Sequence, residues 1–167
     1  MSLTEFMDHR PQGEALDVVE RLAAQHGWSF ERASLDEITI MVRGKWTDYQ
    51  LSFTWMDNIE AIHIACAFDL KVPERRRLEV VDLVAKVNEQ LWVGHFDLWD
   101  ADGLVMYRHA LVLAGGSAPS HKQCEALLGI ALDACERYYQ AFQFVLWAGK
   151  SAGEAIDAIM FETSGQA

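Results

Sequence analysis

The chain has 167 residues, of which 51% are hydrophobic and 11% aromatic, and its formal net charge is −11. This length and composition are typical of one globular domain with a sizeable core and exclude a disordered chain. The acidic charge argues against nucleic acids and anionic membranes as partners, because clustered lysine and arginine bind phosphate groups. We therefore expect a single domain over residues 1–167, with an ordered core at about residues 12–162.

Three cysteines, Cys66, Cys124 and Cys135, lack the CxxC spacing of a zinc or redox site. Their odd number and apolar surroundings predict buried, reduced thiols in a cytoplasmic protein. The first ten residues lack the basic start and apolar run of a signal peptide, and no apolar run has the length of about 18 residues needed for a membrane span.

Hydrophobic periodicity predicts the first elements in chain order. Residues 1–10 are an expected irregular lead-in, and residues 12–26 form a helix that Gly27 ends. Alternating strands follow at 36–43, 46–56 and 59–68, joined by two-residue turns at positions 44–45 and 57–58. The short segment 28–32 is a candidate additional strand at one edge. These turns predict three cross-strand pairs: Ile40 with Tyr49, Leu51 with Ile64, and Phe53 with Ile62.

The second half of the chain predicts a helix, a hairpin and two further helices. Pro73 begins a helix whose main apolar stripe is Val80, Leu83, Val84, Val87 and Leu91. Leu78, Val81 and Trp92 widen this stripe, which predicts contacts on more than one side and a homodimer. Strands at 94–99 and 104–113 are joined through Asp-Ala-Asp-Gly. Capping residues Ser120 and Ser151 begin a long helix at 121–148 and a short one that reaches about Met160.

The predicted order is therefore α-β-β-β-α-β-β-α-α. Hairpins are segregated from helices, which predicts an α+β fold with an antiparallel sheet of five strands, or six if segment 28–32 joins it.

Candidate chemical motifs are weak in this sequence. Gly149-Lys150-Ser151 resembles the end of a P-loop, but Phe144 stands where the first glycine is required, so a helix stop and a cap are predicted. The basic run at 75–77 predicts a solvated helix start. Ser52 lies near His63 in the predicted hairpin, but no nucleophile elbow or oxyanion hole accompanies it. We predict no catalytic residue and no enzyme activity.

The candidate metal ligands are His63, His95, Asp97 and His109, which have no HExxH spacing. Strand alternation separates His109 from His95 and predicts that it is a hydrogen-bonded core residue. No metal or cofactor site is predicted. A small metal-dependent enzyme using His63 and His95 remains one alternative, and a small-molecule sensor remains another.

Residues on the second face of the sheet are candidates for binding a partner: His95, Asp97, Trp99, Met106 and Arg108. Asp97 and Arg108 are predicted to form a cross-strand ion pair. Trp99 and Met106 either lie beneath a helix or form an exposed patch for a peptide or a second subunit.

Several segments resemble the YbjN family of bacteria, whose members are labelled sensory transduction regulators. They are LWVGHFDLW at 91–99, VMYRHA at 105–110, GKWTDY at 44–49 and FQFVLW at 142–147. The resemblance covers about residues 14–163 and concerns structural rather than catalytic motifs.

The resemblance implies a fold similar to that of type III secretion chaperones, with the short C-terminal helix as an addition. Such chaperones are small, acidic, cytoplasmic dimers that bind extended segments of client proteins. The resemblance therefore implies a non-enzymatic, homodimeric protein that binds a protein or peptide partner in signalling or stress regulation, although a shared fold does not establish a shared function.

Overall fold

The structure, a computed structural model, describes residues 13–99 and 101–165, without the side chains of residues 163 and 164. Its helices are α1 Glu14–Gln25, α2 Arg77–Asn88, α3 His121–Leu146 and α4 Ala152–Ser164. Its strands are β1 Ser29–Ser34, β2 Glu37–Arg43, β3 Asp48–Met56, β4 Ala61–Lys71, β5 His95–Trp99 and β6 Leu104–Val112. This order confirms the predicted α+β class, and the candidate edge strand is β1. Residues 1–10, where an irregular lead-in is expected, and Asp100 lie outside the described residues.

Six strands of the described chain form one antiparallel sheet in the order β1-β2-β3-β4-β6-β5. One set of alternate side chains faces the helices, and we call its side the helix face. A row of this set crosses five strands and is at most 1% exposed: Ile40, Leu51, Cys66, Tyr107 and Phe96.

The opposite side is the outer face, which the row Thr39, Ser52, Ala65, Arg108 and His95 crosses. Ala65 on the central strand β4 is only partly buried, and Ala67 is exposed. A helix packed over this side would bury such small side chains. Within the described residues, the outer face is therefore uncovered.

The predicted register of both early hairpins is wrong by two residues. Tyr49 pairs with Val42, Leu51 with Cys66 and Phe53 with Ile64. The cause is the length of the turns, since each has four residues rather than two. Gly44 N–H donates to the Thr47 carbonyl in the first turn, and a 3-10 turn at Asp57–Ile59 forms the second. A shift of two residues preserves the side-chain face, so the predicted core residues still point inward.

The core lies between the sheet and α3, where aromatic rings interlock. Phe68 of β4 lies 5.1 Å from Tyr139 and 5.7 Å from Phe142, measured between ring centroids. Phe96 of β5 lies 5.5 Å from Phe142 and 6.0 Å from Tyr138. These edge-to-face and tilted contacts bury large apolar areas and fix α3 across the strands that carry the candidate residues.

The α3–α4 junction is held by the start of α2. Arg76 donates to the carbonyls of Val145 at 2.9 Å and Lys150 at 2.7 Å, and Glu79 accepts from the backbone N–H of Ala152 at 3.1 Å. Arg76 is half-buried, so the interpretation of the basic run as simply solvated is wrong. Its guanidinium instead satisfies carbonyls at a helix end.

Both predicted helix caps before α3 and α4 are present. Ser120 and Gln123 form a complete capping box, and Ser151 accepts the Glu154 N–H. Gly149 adopts φ +66°, which confirms a helix stop rather than a phosphate-binding loop. Other boundaries differ from the prediction: α4 extends beyond Met160, and a 3-10 turn separates Pro73 from α2.

Candidate partner-binding face

All five candidate partner-binding residues lie on the outer face. The β5–β6 ladder pairs His95 with Arg108 and Asp97 with Met106, and it brings Trp99 to the turn end of β5. The sequence prediction placed these side chains together because alternation assigns each to the same side of the hairpin. The ladder confirms that grouping, whereas a role in binding stays a prediction.

Arg108 is the centre of this group. Its Nη1 lies 3.2 Å from Asp97 Oδ2, which confirms the predicted cross-strand ion pair. Its Nε donates to His63 Nε2 at 3.2 Å, and its guanidinium carbon lies 5.6 Å from the centroid of the Trp99 ring. Both ionic side chains are about a third or more exposed, so solvent screens the ion pair and limits it to about 1 kcal/mol or less.

The contact between His63 and Arg108 was missed because the sequence pattern did not predict that β4 and β6 are neighbours in the sheet. The sequence prediction put Ser52 near His63, but Thr54 is its partner on β3. On the other side, Arg108 pairs with Ala65, two residues further along β4 than His63. The long guanidinium group reaches this diagonal neighbour across the small Ala65 side chain.

The surroundings of His63 favour its neutral form. Burial lowers its pKa below the ordinary value of 6.5, and the positive charge of Arg108 lowers it further. His95 and His109 act in the same direction with smaller effects.

Apolar side chains on the outer face are unequally exposed. Trp99 is 44% exposed, so of the two predicted alternatives it fits the exposed patch rather than cover by a helix. Met106 is only 8% exposed, although it faces outward between Ala67 and Asp97. Trp99 and Met106 thus provide apolar surface on the same face as the charged pair Asp97 and Arg108.

The position of β5 depends on two side-chain anchors. Asn88, the last residue of α2, accepts from Phe96 N–H at 2.8 Å and donates to the Phe96 carbonyl at 3.0 Å. Tyr107 donates to the Val93 carbonyl at 2.9 Å just before β5. A glycine is required at position 94, between Val93 and β5, because Gly94 has φ +72° and a Cβ there would strike the Tyr107 ring.

Asn88 thereby satisfies the N–H and C=O of Phe96 on the free edge of β5, as a residue of a neighbouring strand would. Protection of this kind prevents unwanted pairing of sheet edges. The sequence offered no signal for it, because an asparagine near a helix end has many ordinary uses.

In the described part of the chain, no three His, Cys, Asp or Glu side chains are placed so that they could hold one metal ion. Burial raises the pKa of the Cys124 thiol to about 11 and that of Cys135 well above its usual value, which disfavours reactive thiolates. Ser52 Oγ lies 3.4 Å from Thr39 Oγ1 on the neighbouring strand.

His109 differs from its prediction. It lies on the helix face opposite Ile64, but it is only half-buried and has no hydrogen-bond partner among the described residues. The neighbouring Leu111 is also half-buried, so helix cover is incomplete at this end of β6. Burial lowers the pKa of His109, and His95 adds to this effect.

A cleft of about 770 Å³ lies where the β2–β3 turn meets α3 and α4. Trp46 and Tyr138 line it, but most of its other side chains are charged or polar. This is not the deep, aromatic pocket that the small-molecule sensor alternative requires.

A second exposed apolar surface lies on the outward side of α2 and on the connection from α2 to β5, and we call it the α2 surface. Leu78 is 79% exposed, Val81 is 41% exposed, and Trp92 is 99% exposed. Because α2 ends at Asn88, Trp92 lies in the connection to β5 rather than on the helix, which corrects the predicted stripe. Among the described helices, none is long and apolar enough to cross a bilayer.

Comparisons with known proteins agree with this architecture. The fold is similar to a crystal structure of YbjN from E. coli, with a TM-score of 0.54 and 12% identity over 74% of this chain and 87% of that chain. It is also similar to the crystal structure of the ExsC–ExsE complex, with a TM-score of 0.52 and 12% identity over 77% of this chain and 92% of that chain. At this identity the likeness concerns the fold alone, and it confirms the predicted chaperone-like architecture.

No curated protein sequence matches the chain. Residues 15–144, which include the whole sheet and most of α3, match the family model described as "Putative bacterial sensory transduction regulator". The chain belongs to the YbjN family.

Proposed function

We propose that this protein is a non-enzymatic binding module that holds an extended segment of a protein partner on its outer face. The observation that carries the proposal is the uncovered sheet, on which Trp99, Asp97 and Arg108 stand as a connected group. A tryptophan beside an arginine is a frequent combination at the centre of protein interfaces. The similarity to ExsC, solved in complex with ExsE, agrees with a protein as the partner.

The size of the outer face also suits this role. Six strands about 4.8 Å apart, with a mean length of about 26 Å, give roughly 600 Å². A standard protein interface buries about 800 Å² on each partner. The outer face is therefore large enough for one extended segment and somewhat smaller than one side of a standard interface.

Quantitative affinity capture from the native host, compared between variants, tests this proposal. We expect Trp99→Ser and Arg108→Glu to reduce recovery of a stoichiometric partner at least tenfold, because they remove the connected tryptophan and arginine of the β5–β6 side of the face. The matched control is Ile130→Ser, which changes a 39%-exposed apolar residue on α3. The proposal would be contradicted if Trp99→Ser and Arg108→Glu recovered as much partner as the control Ile130→Ser.

We also propose a homodimer formed through the α2 surface of Leu78, Val81 and Trp92. Three large apolar side chains this exposed are costly in water and favour self-association about a two-fold axis. Light scattering after size exclusion is expected to give twice the chain mass for the wild type and the single-chain mass for Leu78→Ser/Trp92→Ser. A wild-type monomer at micromolar concentration would refute the dimer.

The cytoplasm is the proposed location, supported by three buried cysteines that are all unpaired. Cell fractionation with thiol labelling after denaturation should find the protein in the cytoplasmic fraction with all three thiols reduced. Recovery from an oxidising compartment would contradict this.

A further inference from the structure

The hydrogen bond between Arg108 and His63 defines the protonation state of the histidine. Arginine has only donors, so the His63 Nε2 that receives its Nε–H must carry a lone pair. The ring is therefore neutral, with its proton on Nδ1. If His63 gained a second proton, two donors and two positive charges would face each other across 3.2 Å.

The charges around His63 do not compensate such a proton. On β6 the facing group is Arg108, and on β5 the facing groups are His95 and Asp97, whose carboxylate already pairs with Arg108. The β3 partner Thr54 is uncharged, and Glu37 lies one strand further away on β2. No described helix covers this face, so none places a carboxylate over it.

Arg108 has a second set of contacts available on its other side. Asp97 at 3.2 Å and the Trp99 ring at 5.6 Å both lie toward β5, away from His63 on β4. We propose that protonation of His63 at mildly acidic pH is a switch that releases Arg108 from β4 and leaves it paired with Asp97 and Trp99 alone.

The lowered pKa of His63 agrees with a neutral ring at pH 7, so the switch operates only below that pH. Its consequence for binding rests on the proposed function, because the charged group would move within the surface that holds the partner. The geometry itself needs no partner and can be tested in the isolated chain.

Histidine side-chain NMR on the full-length ¹⁵N-labelled protein tests the switch, with His63 assigned through His63→Gln. We expect the Nδ1–H tautomer at pH 8 and a titration midpoint below 6.5. Arg108→Leu is expected to raise that midpoint by about half a pH unit or more, because a nearby like charge disfavours protonation. Arg108→Lys, which is shorter and loses the Nε contact, should abolish the tautomer preference even if Arg108→Leu does not fold.

The matched control is Arg43→Leu, which removes an exposed arginine of the same face on β2 and should leave the His63 midpoint unchanged. Trp99 fluorescence, taken as the difference from Trp99→Phe, should change with the same midpoint and stay constant in His63→Gln. The switch would be overturned by an Nε2–H tautomer of His63 at pH 8 or by an equal shift of the His63 midpoint in Arg108→Leu and Arg43→Leu. A pH-dependent fluorescence change that persists in His63→Gln would also overturn it. Since no partner is present, these results leave the proposed function to its own test.

Discussion

Replacement of Asn88 by alanine should loosen the strand that carries half of the candidate face. Asn88 makes two hydrogen bonds to the backbone of Phe96, at 2.8 and 3.0 Å, and they join the end of α2 to the free edge of β5. Alanine removes both and leaves the part-buried N–H and C=O of Phe96 without a protein partner. His95, Asp97 and Trp99 all stand on this strand.

The magnitude follows from these two bonds. An unsatisfied backbone group costs about 1–2 kcal/mol when it is only partly buried, so two cost about 2–4 kcal/mol. The better helix propensity of alanine returns roughly 0.5 kcal/mol. We expect the free energy of unfolding to fall by about 2–3 kcal/mol, which for a chain of this size lowers Tm by roughly 5–10 °C.

Urea denaturation followed by circular dichroism measures this change. Asn88→Asp, which still accepts from Phe96 N–H but cannot donate, should lose about half as much. Asn58→Ala in the exposed β3–β4 turn is the matched control and should change the free energy of unfolding by less than about 0.5 kcal/mol. If Asn88→Ala unfolds within 0.5 kcal/mol of the wild type, the side chain is not an anchor of β5.

Three further changes test other parts of the structure. Phe68→Ala empties a site that is 1% exposed among four aromatic rings and should cost about 3–5 kcal/mol in urea denaturation; a loss below 1 kcal/mol would contradict the described core. Arg76→Leu leaves two carbonyls at the α3–α4 junction without their donor and should cost about 2–3 kcal/mol, whereas an unchanged Tm would show that α4 is held otherwise. The folded-state pKa values of His63 and His109 lie below 6.5, so the unfolded chain takes up protons first as the pH falls, and the free energy of unfolding should decrease below about pH 6.5. The slope should be smaller in His63→Gln, and an increase in stability on acidification from pH 7 to 6 would contradict the two pKa directions.

Much of the architecture could be predicted from local patterns. Alternation over β3 and β6 assigned side chains to the correct faces. Side chains alternate with a period of two, so an error of two residues in the length of a turn does not change the face on which a side chain lies. The Ser120 capping box identified the start of α3, because its hydrogen bonds need only residues three apart. The Asp97–Arg108 pair was predictable for the same reason, because one short hairpin carries both residues.

Contacts that join distant segments could not be predicted in this way. The His63–Arg108 bond depends on the pairing of β4 with β6, two strands that α2 and β5 separate in the chain, and no local pattern predicts that pairing. Arg76 appeared solvated because its acceptors lie about 70 residues away in sequence, at the end of α3.

Site-specific photo-crosslinking in the native host tests the central claim most directly. A photoreactive phenylalanine analogue is placed at Trp99 and at Met41, which is 41% exposed on the same outer face, and at Ile130 on α3 as the control. The binding-face account predicts a discrete adduct with one partner protein from positions 99 and 41 and none from position 130. Adducts from position 130 alone, or none from either outer-face position, would contradict it.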